Sequence, residues 1–204
     1  MSRTGVLGGT FDPPHIGHLW LAALAADALS LDRVLFMPAA QPPHKDRDLA
    51  GSAEERLEMT RLAIADDARF ALSTIEMERP GPSYTVDSIS QLLDERAADT
   101  LVLLMAADSL AQIDSWREPD RLLQLVEWGI GPRPGSSMPD TAQLAARFGN
   151  AAGRIHLLEG PALAVSSTAI RSRVAAGRTI RYLVPRAVEE LIAARGLYRP
   201  PGNR

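Results

Sequence analysis

An α/β fold, with a doubly wound and mostly parallel sheet in a single domain, is what this sequence predicts. Three observations carry the prediction. Short apolar runs alternate with segments of helical period along the chain. Helix-end signals punctuate that alternation. A glycine pair, Gly8-Gly9, follows the first apolar run, at the turn where such sheets bind ligands. At 204 residues, against about 150 per domain, one core accounts for the length. Residues 1–199 are read as the domain and 200–204 as a frayed tail.

The strands are expected at Gly5–Leu7, Arg33–Met37, Phe70–Ile75, Thr100–Met105, Val126–Ile130 and Arg154–Leu158. Regular β-α alternation returns each strand parallel to the last. The first helix is expected to start at Asp12-Pro13, because proline suits a first helical position. Ser52 with Glu55 forms a capping-box pattern, and Thr85 opens a periodic run. Gly177 and Gly196 follow periodic runs as stops. Trp20 and Trp128 read as core, and His156 as a strand residue. The Pro/Gly-rich stretches Pro38–Gly51 and Arg79–Ser83 are binding-loop candidates.

Composition narrows the function classes. Hydrophobic residues make up 46% and charged residues 23%, which excludes a disordered or fibrous chain. The net charge of −3 supplies no cationic field for nucleic acid or anionic lipid, so neither is expected as a partner. With no cysteine, thiolate chemistry and disulfides are excluded. The longest apolar stretch, Leu19 to Leu31, is interrupted by Asp27 and Ser30 and is too short for a membrane span. No signal-peptide pattern opens the sequence, so a cytoplasmic protein is expected. Homo-oligomerisation is left open.

The chemistry concentrates after the first strand, in Gly8-Gly9-Thr10-Phe11-Asp12-Pro13-Pro14-His15-Ile16-Gly17-His18. A glycine turn running into a helix N-terminus suits phosphate, since the unpaired N–H groups and the dipole both favour an anion. His15 and His18, three apart, would project from one face, with Gly17 keeping the space between them open. A pair of capping or core histidines is the bland alternative. Ser166-Ser167-Thr168 precedes a second helix, with Arg171 one turn on, which builds another phosphate cradle. Asp108, expected at the end of the fourth strand, could accept from ribose hydroxyls. Arg133 could lie on the nucleotide or face solvent. Lys45 is the only lysine among 22 basic residues and sits in a proline-stiffened loop, where an ammonium can reach a phosphate. Trp116 follows a polar loop, where an aromatic can cover a planar ligand or pack into the core.

Gly9-Thr10-Phe11-Asp12-Pro13 with His15-Ile16-Gly17-His18 resembles the signature of the nucleotidyltransferase superfamily that shares the HxGH motif. The same four letters occur in class I aminoacyl-tRNA synthetases, but those are longer and need a lysine-serine-lysine signature that a single lysine cannot supply. Pro42-Pro43-His44-Lys45, Pro82-Ser83-Tyr84-Thr85, Asp108-Ser109, Ser115-Trp116, Arg133-Pro134-Gly135 and Ser166-Ser167-Thr168 with Arg171 are similar, in order, to the bacterial nicotinate mononucleotide adenylyltransferases. The likeness runs from Gly5 to about Tyr198. Ala106 departs from it, standing where that family usually has glycine.

The resemblance implies a Rossmann-like fold and transfer of AMP from ATP to nicotinate mononucleotide, with Mg²⁺ entering on ATP and no metal ligands from the protein. His15 and His18 would act on the α-phosphoryl group. Gly8, Gly9, Thr10, Phe11, Asp108, Arg133, Ser166, Ser167, Thr168 and Arg171 would bind ATP. Lys45, Tyr84, Thr85 and Trp116 would bind the acceptor. Other acceptors, such as nicotinamide mononucleotide, phosphopantetheine or a sugar phosphate, and a non-catalytic nucleotide-binding domain are the competing readings.

Overall fold

The computed structural model describes residues 2–42 and 49–200. In chain order it contains β1 (Arg3–Gly9), α1 (Ile16–Ala28), β2 (Arg33–Pro38), α2 (Ala53–Ala63), β3 (Phe70–Leu72), α3 (Ile75–Glu78), α4 (Thr85–Glu95) and β4 (Thr100–Ala106). Then come α5 (Ala107–Ala111), α6 (Pro119–Leu125), β5 (Glu127–Gly131), α7 (Thr141–Phe148), β6 (Ile155–Leu157), α8 (Ser167–Ala175) and α9 (Arg186–Arg195). Lys45 and the tail beyond Pro200 lie outside the described residues.

The strands form one sheet in the order β3-β2-β1-β4-β5-β6, and every pairing is parallel. The chain winds outward from β1 to β3, then crosses back to place β4 on the other side of β1. Strand order therefore reverses between β1 and β4, and the loops leaving their carboxyl ends diverge around a crevice. This is the Rossmann-like, doubly wound arrangement expected.

Both sheet faces are buried, so the strand interiors run apolar at consecutive positions, as Val34–Met37 of β2 and Leu101–Met105 of β4 do, rather than at alternate ones. On β4, Val102 and Leu104 join one core cluster with Ala22 and Ala25 of α1, Met59 of α2, Ile170 of α8 and Val188 of α9. Leu101, Leu103 and Met105 join the other, with Ile89 of α4, Leu122 of α6 and Trp128 of β5. Each side chain of this kind, fully buried, contributes about 1.5–3 kcal/mol.

The helix ends follow local chemistry. Ser52 Oγ accepts from the Glu55 N–H at 3.2 Å while Glu55 accepts from the Ser52 N–H at 2.8 Å, closing the capping box at α2. Gly177 and Gly196 adopt the left-handed φ values of +66° and +62° that stop α8 and α9. Trp128 is buried as expected, whereas Trp20 is only half-buried and donates its indole N–H to the Pro161 carbonyl at 2.9 Å. Among the described residues no helix is long and apolar enough to cross a membrane.

Several expected boundaries move. The third strand stops at Leu72, because an edge strand pairs with β2 alone, and Ile75 starts α3 and turns into the core. The first helix starts at Ile16, not at Asp12-Pro13. Each residue before a proline is pushed away from the helical region, so Asp12 and Pro13, both followed by proline, form a bend ahead of the helix. Asp108 lies in the first turn of α5 rather than on β4, and Arg133 lies two residues beyond β5.

Candidate active site at the switch point of the sheet

The turn after β1 is held by a residue in an uncommon conformation. Phe11 has φ +51°, a region bulky side chains avoid, and its ring is buried edge-on to His18 with centroids 5.0 Å apart. Asp12–Pro13 is a cis peptide. His15 then takes the N-cap position of α1, and the N–H of Ile16 donates to the Leu183 carbonyl at 3.0 Å. The backbone N–H of His15 donates to Nδ1 of His18 at 3.2 Å. The two imidazoles stack 3.7 Å apart, with 16° between their planes.

This contact corrects the expectation for Gly17, which does not hold the rings apart. A Cβ at Gly17 would sit 2.9 Å from Val165 Cγ1 and 3.1 Å from His15 Nδ1, so glycine lets Val165 close over His15. His15 is 3% exposed, and burial, followed by the positive charge of Arg133, pushes its pKa down to about 4.

The N-terminus of α8 docks on the same turn. Ser166 caps it, accepting from the Ala169 N–H at 3.2 Å, and Ser167 donates to the Pro13 carbonyl at 2.8 Å. Arg171 donates to the Asp12 carbonyl at 2.8 Å. Two helix N-termini, with the positive ends of their dipoles, therefore meet at one loop. From the β5 side, Arg133 donates to the Val165 carbonyl at 3.1 Å and pairs with Asp108 at 3.4 Å.

All of these groups face one cavity of about 800 Å³ in the switch-point crevice. Gly8, Gly9, Thr10, Phe11, His15, His18, Ser166, Ser167, Thr168, Arg171, Asp108 and Arg133 all line it. Thr85 and Trp116 line it as well. Tyr84 does not: it is the N-cap of α4, its ring packs against the second core cluster, and the Arg117 guanidinium lies 4.6 Å from its centroid. Among the described residues no group of three or more His, Cys, Asp or Glu could hold a metal ion.

Four residues that hold the site together escaped the sequence reading. Asp12, 2% exposed, accepts from the Ala50 and Gly51 N–H groups at 2.9 and 3.1 Å and from the Tyr198 hydroxyl at 2.7 Å. Burial and the Asp12 charge push the Tyr198 phenol pKa up, keeping it a donor. Arg56 is fully buried and bonds only backbone carbonyls. Glu76, 4% exposed, lines the cavity and accepts from Ser88 at 2.6 Å. The sequence carries a signal for two of them: Asp12 stands in the motif after β1, and Arg56 shares the inward face of α2 with Met59, Thr60 and Ala63.

A parallel sheet whose switch point carries two facing helix N-termini, a histidine pair and two arginines defines a nucleotide-handling α/β transferase. Residues 6–173 match the family model described as Cytidylyltransferase-like. A probable nicotinate-nucleotide adenylyltransferase of Thermomicrobium roseum is 46% identical over 98% of this chain and 92% of its own. Another, from a Roseiflexus species, is 48% identical over 96% and 97%. The chain belongs to the nicotinate-nucleotide adenylyltransferases within that cytidylyltransferase-like family. A solved structure of Plasmodium falciparum nicotinic acid mononucleotide adenylyltransferase complexed with NaAD shares the fold, with a TM-score of 0.82 at 18% identity over 97% of this chain and 98% of that one.

Proposed function

We propose that this chain transfers AMP from ATP to nicotinate mononucleotide, giving deamido-NAD and pyrophosphate, as a cytoplasmic step of NAD biosynthesis carried out by residues 1–199 as one domain. The observation that carries the reading is that the stacked His15–His18 pair, the α8 N-terminus and Arg171 line one cavity.

An oxygen of the acceptor phosphate attacks the α-phosphorus in line, and the bond from that phosphorus to the bridging oxygen breaks to release pyrophosphate. The acceptor phosphate, with a second pKa of about 6, is already largely dianionic at pH 7, so no general base is required. The protein positions the reactants and stabilises charge. His15 and His18 donate to the α-phosphoryl and bridging oxygens. Ser166, Ser167, Thr168, Arg171 and the helix N–H groups hold the outer phosphates, while Asp108 and Arg133 hold the nucleoside side. Thr85 and Trp116 take the pyridine end, and Lys45 reaches an acceptor or product phosphate. Mg²⁺ fits as a passenger on the triphosphate oxygens, where it would neutralise charge on the leaving pyrophosphate.

Pyrophosphate release, measured with ATP and each of nicotinate mononucleotide, nicotinamide mononucleotide, phosphopantetheine and a sugar phosphate, tests this. Turnover should be fastest with the first. A different best acceptor moves the assignment to that substrate, and ATP binding without release with any of them makes the chain a nucleotide-binding domain.

A further inference from the structure

Arg56 lies outside the cavity, yet its guanidinium joins two loops that form the cavity walls. Nη1 donates to the carbonyls of Thr10 at 2.9 Å and Ala39 at 2.6 Å, and Nη2 donates to the Ala40 carbonyl at 3.0 Å. Thr10 belongs to the loop after β1, and Ala39 begins the loop after β2. Gln41, next along, is paired through its backbone to Ser83, whose N–H donates to the Gln41 carbonyl at 2.8 Å. The Gln41 N–H donates back to Ser83 Oγ at 3.2 Å. Ser83 stands two residues before Thr85, which lines the cavity. Hydrogen bonds and two short stretches of chain, Ala40–Gln41 and Ser83–Thr85, thus lead from the phosphate loop through Arg56 to the Thr85 wall.

Packing alone does not call for arginine here. A buried guanidinium is costly unless its donors are met, and an apolar chain of equal length on this inward face of α2 would avoid that cost. Arginine suits what the loops present, three carbonyls converging from two segments, because the two Nη nitrogens of a rigid fork reach both segments in a fixed geometry, while Nε stays buried without a hydrogen-bond partner.

We propose that Arg56 is a positioning residue that sets the distance between the ATP-phosphate loop and the acceptor loop. The proposal rests on the adenylyltransferase reading above. Its effect belongs on the bond-forming step rather than on the binding of either substrate alone, because each loop keeps its own groups while their mutual spacing changes.

Arg56→Lys keeps the charge and loses the fork; Arg56→Met keeps the length and loses the charge. Both should lower kcat at least tenfold, with ATP and acceptor dissociation constants within threefold of wild type. Ile192→Ala, in the core beneath α9, serves as a stability control and should lower Tm while retaining kcat per folded molecule. Hydrogen exchange gives a readout independent of turnover. Arg56→Lys should speed exchange at Gly9–Asp12 and at Ala39–Gln41 together, and leave β4 unchanged. Activity losses that only follow the folded fraction, as in the control, or exchange rising in one loop alone, would overturn the proposal. If wild type releases no pyrophosphate, the functional reading fails and the exchange experiment still decides the role of Arg56.

Discussion

Nδ1 of His18 accepts the backbone N–H of His15 at 3.2 Å, so in the neutral ring the proton sits on Nε2. The stack at 3.7 Å also disfavours two adjacent imidazolium rings. His15, with a pKa near 4 against an ordinary 6.5, is neutral at pH 7. The unfolded chain therefore binds a proton at this residue between about pH 6.5 and 4 that the folded protein resists. The associated stability is present above pH 6.5 and is lost as pH falls through that window, by about 3 kcal/mol on the scale of 1.36 kcal/mol per pKa unit. Denaturant unfolding of wild type and His15→Gln at pH 7 and pH 4 should show their difference shifting by that amount in favour of the variant at acid pH. A difference independent of pH would contradict the buried neutral state.

His18→Ala should lower kcat on the order of 10²–10³-fold with little change in substrate affinity, because in the proposed mechanism its donor acts on charge that develops in the transition state. The double variant with His15→Ala should fall short of the product of the single losses, as expected for rings in contact acting on one phosphoryl group. Steady-state kinetics on all three proteins would show it; losses that multiply would assign the two rings to separate tasks.

Glu76 titrates in the opposite sense. Burial raises its pKa above the ordinary 4.5, against the hydrogen bonds from Ser88 and Ser83 and the charge of Arg79 that lower it. A carboxyl with a raised folded pKa contributes stability below pH 4.5 and loses it as pH climbs through the folded value. Glu76→Gln keeps an acceptor for Ser88 and has no charge to bury, so its Tm relative to wild type should rise between pH 4 and pH 7.5. A Tm difference that falls or stays level over this range would mean that the carboxylate is well solvated in solution.

Much of this architecture is legible in the sequence, because it depends on local rules. The Ser52–Glu55 box, the glycines at 177 and 196 and the apolar strands obey neighbours within a few residues. The His15 and Ser166 clusters could be recognised separately as helix-start motifs, although 151 residues separate them in the chain and only the sheet winding brings them together. The prolines at 13 and 14 together disfavour helical backbone at Asp12 and Pro13, which is consistent with His15 as the N-cap of α1. What remains hidden is set by distant partners. Nothing near Asp12 foretells the Tyr198 hydroxyl or the Gly51 N–H, and nothing near Tyr84 foretells that its ring pairs with Arg117 instead of facing the cavity.

Arg171 ties α8 to the Asp12 carbonyl and also faces the cavity. Arg171→Ala should raise the KM for ATP at least tenfold and leave the acceptor's KM within about threefold, with Arg171→Lys intermediate because an ammonium supplies charge without the fork. Equal increases for both substrates would indicate that the whole turn after β1 had shifted, making the residue structural.

Trp116 lines the cavity and is half-buried, with part of its ring packed on the second core cluster. A ring partly packed and partly in the cavity is an arrangement from which an indole can cover a pyridine. Thr85, at the first position of α4, lines the same cavity with a helix N-terminus behind it. An acceptor carboxylate takes stronger bonds from such N–H groups than an amide, which turns its own NH₂ toward one of them. Discrimination of several kcal/mol between nicotinate and nicotinamide mononucleotide is physically reachable on that basis, on the order of 10²-fold or more in kcat/KM. Trp116→Ala should raise the acceptor's KM more than that of ATP, and Trp116→Phe should recover part of the loss through retained stacking. Neither substitution should alter the preference for the acid, since the N–H groups that read it belong to the backbone. If Trp116→Ala changes only the KM for ATP, the indole covers adenine and the acceptor ring lies elsewhere; if it erases the preference for the acid, the indole itself orders the donors.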